Sequence, residues 1–160
     1  MNDAIAIIGG SGLDQLPGFH EDEELHLETP FGPPSDVIRS GTLNGRRLYF
    51  LPRHARGHRL APHEINHRAN LHALRSLEVR WIICVTAVGS LQERYRPRDV
   101  VLIDQFFDRM SARAEHTFFG NGIVGHVSLA DPICPELRAI LAAACREAGA
   151  SFHDLSLIHI

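Results

Sequence analysis

The chain has 160 residues, 44% hydrophobic and 22% charged, with a formal net charge of -3. That length suffices for one ordinary domain with a real core, and the charge balance gives no footing for nonspecific nucleic-acid binding. No apolar run approaches membrane-spanning length, and no basic segment followed by an apolar stretch marks a signal peptide at the N-terminus. The three cysteines are odd in number, with Cys84 in an apolar run and Cys145 on an apolar helix face. This usage fits a reducing cytoplasm better than a disulfide framework.

In chain order, Ala4-Ile5-Ala6-Ile7-Ile8 is a continuous apolar run ending at Gly9-Gly10, the pattern of a buried parallel strand running into a tight turn. Residues 29–35 (Thr-Pro-Phe-Gly-Pro-Pro-Ser) form a loop without helix potential. Val37 to Gly41 and Arg46 to Leu51 read as strands joined at Asn44-Gly45, a strong hairpin signal. Pro62 opens a helix expected to run to about Leu77, with Ile65, Ala69, Ala73, Leu74 and Leu77 as its apolar stripe. Trp81 to Val88 is a second buried strand closed by Gly89-Ser90, and Val100 to Ile103 a third. Met110 to Gly125 reads as loop. Pro135 opens a helix with Leu137, Ile140, Leu141, Ala144, Cys145 and Ala148 on one face, stopped by Gly149, after which a strand begins. Strands alternating with helices predict an α/β fold with a mostly parallel or mixed sheet.

Four stretches carry candidate chemistry. Leu51 to His58 puts Arg53, His54, Arg56 and His58 directly after a strand, where open α/β sheets bind ligands. Arginine offers a planar fork of donors suited to phosphate. Ile8-Gly9-Gly10-Ser11-Gly12-Leu13 lets backbone N–H groups approach an anion, with the Ser11 hydroxyl as a further donor. Its dinucleotide fingerprint is incomplete, since Gln15 stands at the third position, and no lysine makes it a Walker A loop. Thr86-Ala87-Val88-Gly89-Ser90 closes the central strand. If the strands are parallel, these three strand ends converge on one edge and suit a tetrahedral anion. The fourth stretch, His63-Glu64-Ile65-Asn66-His67, matches H-E-x-x-H, which on a helix would set two zinc ligands on one face with Glu64 as base. The longer metzincin pattern fails at Asn70 and Ala73.

At these residues the sequence resembles the methylthioadenosine and methylthioinosine phosphorylase branch of the purine nucleoside phosphorylases. The matching stretches are residues 7–13, residues 29–36, Arg53-His54 with His58, residues 66–74, residues 87–91, Asp104-Gln105-Phe106 and Asp131-Pro132. The resemblance implies a nucleoside phosphorylase-like mixed sheet flanked by helices. It also implies phosphorolysis of a purine nucleoside, most often 5′-deoxy-5′-methylthioadenosine, giving the free purine and 5-methylthioribose 1-phosphate. It assigns phosphate binding to Ser11, Arg53, His54, Thr86 and Ala87, and places His58 and His126 at the substrate. Inorganic phosphate is a co-substrate, and neither cofactor nor metal is required. The expected assembly is a cytoplasmic homotrimer acting on small molecules, without nucleic-acid or membrane partners.

Two positions depart from the family pattern: Ala55 where glycine is common, and His67 where tyrosine is usual. The latter creates the zinc-like match. The resemblance covers about the first half of such proteins. Residues 1–154 are therefore expected to be the N-terminal part of one phosphorylase domain, apparently truncated, and residues 155–160 a tail unlike the family. The aspartate that assists the leaving purine is expected in the second half, so no catalytic residue is assigned here. The competing readings are a zinc hydrolase built on His63, Glu64 and His67, and a catalytically incomplete phosphate-binding fragment.

Overall fold

The computed structural model describes residues 4–10, 13, 16–108 and 117–154. The chain divides into two compact units, Met1–Thr86 with Arg113–Gly120, and Ala87–Ala112 with Asn121–Ile160.

The first unit contains β1 (Ile5–Gly9), β2 (Phe19–Leu25), β3 (Ile38–Leu43), β4 (Arg46–Pro52), a 3-10 turn (Pro62–Glu64), α1 (His67–Ser76) and β5 (Trp81–Cys84). Its five-stranded sheet has the order β2-β3-β4-β1-β5. β1 lies between β4 and β5 and is parallel to both, while β2, β3 and β4 form an antiparallel meander. The sheet is therefore mixed. The β3–β4 hairpin turns at Asn44 and Gly45, both at positive φ (50° and 75°), with Leu43 facing Arg46. This is the two-residue primed turn that the Asn-Gly pair favours.

The core joins β1, β3, β4 and α1 through Ala6, Ile8, Ile38, Leu51, Ala73 and Leu74, completed by Val79. The expected α1 stripe is enclosed as anticipated, with Ala69, Ala73 and Leu74 at 0% exposure. Burial of a leucine-sized side chain contributes about 1.5–3 kcal/mol, so this cluster dominates the unit's stability.

The expected continuous helix from Pro62 is broken. Ile65 and Asn66 are non-helical (ψ 120° and 78°), and α1 begins only at His67. The cause is Asn66. Its Oδ1 accepts the Ala69 N–H at 3.1 Å, a helix N-cap, while its Nδ2 donates to the Phe31 carbonyl at 2.7 Å. Asparagine satisfies an orphan donor at a helix start better than it continues a helix.

β2 (Phe-His-Glu-Asp-Glu-Glu-Leu) was not anticipated, because its acidic sequence has no apolar alternation. Pairing with β3 and bridges from Arg39 to Glu21 and Arg47 to Asp22 hold it at the sheet edge. A bulge falls between Glu21 and Glu23. Opposite it, a Cβ on Gly41 would lie 2.3 Å from the His20 carbonyl oxygen, so only glycine fits there. β5 spans four residues rather than the expected eight and occupies the other edge, so it is not the buried strand anticipated.

The second unit contains β6 (Val100–Leu102), α2 (Pro135–Glu147) and β7 (Phe152–Asp154), with β6 and β7 parallel. α2 starts at the expected proline and stops at Gly149, whose φ is 64°. Its apolar residues do not form one enclosed face. Ala142 is buried, but Ile140, Ala144 and Ala148 are exposed. Arg138 bridges Asp104 and Asp154 at the carboxyl ends of β6 and β7. Beneath them, the Asp99 carboxylate contacts His153 Nε2 at 2.8 Å and accepts the Arg96 N–H at 3.0 Å. These contacts, His153 first, then Arg96 and Ser151, lower the Asp99 pKa to about 2.

Candidate functional site

The carboxyl ends of the three parallel strands meet at one point. Beyond β4, the Arg53 N–H donates to the Gly9 carbonyl of β1 at 2.8 Å. Beyond β5, the Val85 N–H donates to the Ile8 carbonyl at 2.9 Å. This stitching carries the parallel pairing past the strands and sets residues 9–10, 53–54 and 85–86 side by side. Such a convergence is where α/β sheets bind ligands.

Arg53 spans the group. Its Nη1 donates to the Val85 carbonyl at 3.1 Å, its Nη2 to Thr86 Oγ1 at 3.3 Å, and its Nε to His54 Nε2 at 3.3 Å. A Cβ on Gly10 would lie 3.7 Å from Arg53 Nη2, so the glycine turn abuts the guanidinium. His54 Nδ1 is 2.9 Å from the Leu60 carbonyl, which can only accept. The ring proton therefore sits on Nδ1, and Nε2 presents a lone pair to Arg53. In this arrangement His54 aims the arginine. His58 stacks on His54, with ring centroids 4.5 Å apart and planes within 13°.

Of the residues anticipated for phosphate and substrate, Arg53, His54, His58 and Thr86 thus come together in the first unit. Ser11 lies outside the described residues. Ala87 and His126 fall in the second unit.

The segment carrying Arg53 and His54 is wound tightly. Ala55, Gly57 and His58 have φ of 58°, 78° and 56°. Glycine adopts this region freely, but for alanine and histidine it costs about 1–2 kcal/mol each. Ala55 carries this strain, the cost expected of alanine where the chain needs a left-handed φ. Hydrogen bonds within the segment hold it, from the His58 N–H to the Ala55 carbonyl (3.1 Å) and from the Leu60 N–H to the His54 carbonyl (3.0 Å).

Two residues that the sequence reading left without a role act on the same segment. Asp36 Oδ2 accepts the Arg56 N–H at 2.5 Å, and Glu24 Oε1 accepts from Arg56 Nη2 at 2.5 Å. The hydrogen bond and charge of Glu24 raise the Arg56 pKa further. Asp36 closes the Thr-Pro-Phe-Gly-Pro-Pro-Ser-Asp stretch, so the sequence marked the segment without showing what its last residue reaches. A cavity of about 550 Å³ opens beside the site, lined by Glu21, Glu24, Arg39, Phe50, Arg56 and His58 among others. Its wall includes His54 but neither Arg53 nor Thr86.

Cys84 ends β5 behind Arg53. The residue as a whole is exposed, yet close packing around the thiol raises its pKa by desolvation, with Arg53 pulling the other way.

The zinc hydrolase reading fails on geometry. His63 lies in the 3-10 turn and His67 opens α1, with two non-helical residues between them, so they are not successive positions on one helical face. Glu64 is turned back to accept the Ala61 N–H at 2.8 Å, a capping role. Among the described residues no group of three or more His, Cys, Asp or Glu side chains converges on a common point.

Residues 4–158 match the model of the phosphorylase superfamily. The chain belongs to that superfamily. It is 50% identical over 153 residues to the S-methyl-5'-thioadenosine phosphorylase of Geobacter sulfurreducens, covering 96% of this chain and 54% of the relative. It is 54% identical over 150 residues to the enzyme of that name from Hyperthermus butylicus, covering 93% and 54%. Among solved structures, a methylthioadenosine phosphorylase from an antarctic soil metagenomic library superposes with a TM-score of 0.87 at 49% identity, covering 98% of this chain and 55% of that one. The methylthioadenosine phosphorylase of Schistosoma mansoni gives 0.87 at 34% identity, covering 95% and 62%. The chain thus has the mixed α/β fold of nucleoside phosphorylases and spans about half the length of the curated relatives it matches.

Proposed function

We propose that the protein phosphorolyses a purine nucleoside, 5′-deoxy-5′-methylthioadenosine, and that this chain carries its orthophosphate-handling part. An oxygen of phosphate attacks C1′ of the ribose as the C1′–N9 bond breaks. The base leaves with the bonding electrons and takes up a proton, and the sugar departs as its 1-phosphate. The dianion is the nucleophile and also stabilises the cationic sugar, so the protein's task is positioning and charge.

The observation that carries this reading is Arg53, bridging the ends of β4 and β5 through Val85 and Thr86 beside the glycine turn of β1. Thr86 supplies a hydroxyl, and Ser11 and the Ala87 backbone are proposed to add donors. His54 aims Arg53 through its Nε2 lone pair and is assigned to the phosphate together with it. His58 and His126 are assigned to the nucleoside. Orthophosphate is consumed as co-substrate, and the chemistry requires no further cofactor.

We further propose that residues 1–154 belong to one phosphorylase domain and that the protein acts in the cytoplasm as a homotrimer. The exposed apolar side chains of Ile123, Val124, Val127 and Leu129 support an interface in the second unit. No helix among the described residues is long and apolar enough to cross a membrane.

Calorimetric titration with orthophosphate tests the site. Arg53→Ala is expected to abolish binding, and unchanged affinity would remove Arg53 from the role assigned to it.

A further inference from the structure

Arg56 is fixed at three points in a segment that holds two non-glycine residues at left-handed φ. Its N–H donates to Asp36 Oδ2 at 2.5 Å, its guanidinium to Glu24 Oε1 at 2.5 Å, and its carbonyl accepts Arg59 Nε at 3.1 Å. The other oxygen of Asp36 accepts the Val37 N–H at 2.8 Å, so this carboxylate is itself anchored where β3 begins. Glu24 sits at the end of β2. Two anchored acids therefore grip the residue directly after Ala55 and two before His58, both non-glycine residues at left-handed φ. Arg53 and His54 immediately precede this pair.

We infer that Asp36 and Glu24 are positioning residues for the phosphate site: they brace Arg56, hold Ala55, Gly57 and His58 in the left-handed conformation, and so keep Arg53 and His54 aimed at the anion. Neither acid touches phosphate. A carboxylate near a phosphate site would weaken anion binding by charge alone; the Glu24 charge is balanced by the Arg56 guanidinium, and the two Asp36 oxygens are each engaged by a backbone N–H group. The brace also explains how alanine is tolerated at position 55, since external hydrogen bonds supply what a glycine would otherwise give freely. The inference rests on the phosphate reading of Arg53 and deepens it.

Orthophosphate titrations on the wild-type chain, Asp36→Ala, Asp36→Glu, Arg56→Ala and Arg53→Ala test it, with far-ultraviolet circular dichroism reporting folding. Asp36→Ala is expected to weaken phosphate about tenfold, the loss typical of a hydrogen bond to a charged acceptor. Asp36→Glu, which keeps a carboxylate, recovers part of that loss. Arg56→Ala removes only the exposed pairing with Glu24 and is expected to weaken phosphate about threefold. Wild-type affinity in folded Asp36→Ala and Arg56→Ala would overturn the brace while leaving Arg53 in place. If Asp36→Ala does not fold, Arg56→Ala decides, since its side chain is more than half exposed. Absence of phosphate binding by the wild-type chain would instead overturn the phosphate reading, and the inference with it.

Discussion

The two units differ in how they enclose their apolar residues. In the first, five strands and α1 seal Ile38, Phe50, Leu51 and Leu74 to 1% exposure or less. In the second, Tyr95 and Ala142 are the buried apolar residues among those described, while Leu91, Phe107, Val124 and Val127 are each at least 70% exposed. Two short strands and one helix cannot cover an apolar surface of that extent, whereas a five-stranded sheet backed by a helix can. The first unit is thus a formed scaffold for Arg53, His54 and Thr86. The second carries surface that matches its relatives in sequence but requires a covering to be enclosed.

The contrast can be broken by substitution. Leu51→Ala is expected to destabilise the first unit by about 2–5 kcal/mol, read from chemical denaturation, because it opens a cavity in the sealed cluster. A loss below about 1 kcal/mol would show that the cluster is not the core described. Next in size is Asn70→Ala. Asn70 is 2% exposed, accepts the Ser35 N–H at 2.7 Å and donates to Ser35 Oγ at 2.9 Å, tying the proline-rich loop to α1. Leaving that N–H buried and unpaired is expected to cost about 1–3 kcal/mol in the same denaturation experiment.

In the second unit the expected effects are smaller and partly electrostatic. The folded Asp99 pKa of about 2 lies below the ordinary aspartate value. Its stabilisation is therefore present above roughly pH 4, the unfolded value, and is lost as pH falls through about 2. Melting temperature should drop across that interval, and Asp99→Asn should remove that part of the drop. A variant with an unchanged acid profile would show that the contact with His153 does not hold β6 and β7. The smallest effect belongs to Ile140→Ala. At 56% exposure it should shift stability by less than about 0.5 kcal/mol in this chain, and a larger loss would mean that α2 is covered.

Much of the scaffold was legible from local rules. The apolar run at Ile5 to Ile8, the Asn44-Gly45 hairpin and the Pro135-to-Gly149 helix each follow from a pattern complete within a few residues. β2 was not legible because it is held by pairing with β3 and by Arg39 and Arg47 across the sheet rather than by an apolar pattern of its own. The break at Asn66 was hidden because Pro62 and the apolar spacing both argued for continuity. What decides it is a cap whose second arm reaches Phe31, 35 residues away.

The site divides along the same line. The sequence by itself determined which residues are candidates for the site: a glycine turn, an Arg-His pair and a threonine, each placed at a strand end by the apolar run before it. It also raised the zinc pattern and could not dismiss it, since spacing alone cannot show a helix restarting between two histidines. Only the tertiary structure decided that β1 lies between β4 and β5, which brings Arg53 to Val85 and Thr86. It alone joined Glu24 and Asp36 to Arg56, 32 and 20 residues away. The physical reason is range. Apolar periodicity and turn chemistry act between neighbours in the chain, while the hydrogen bonds that aim an arginine act between strands whose order no local pattern encodes.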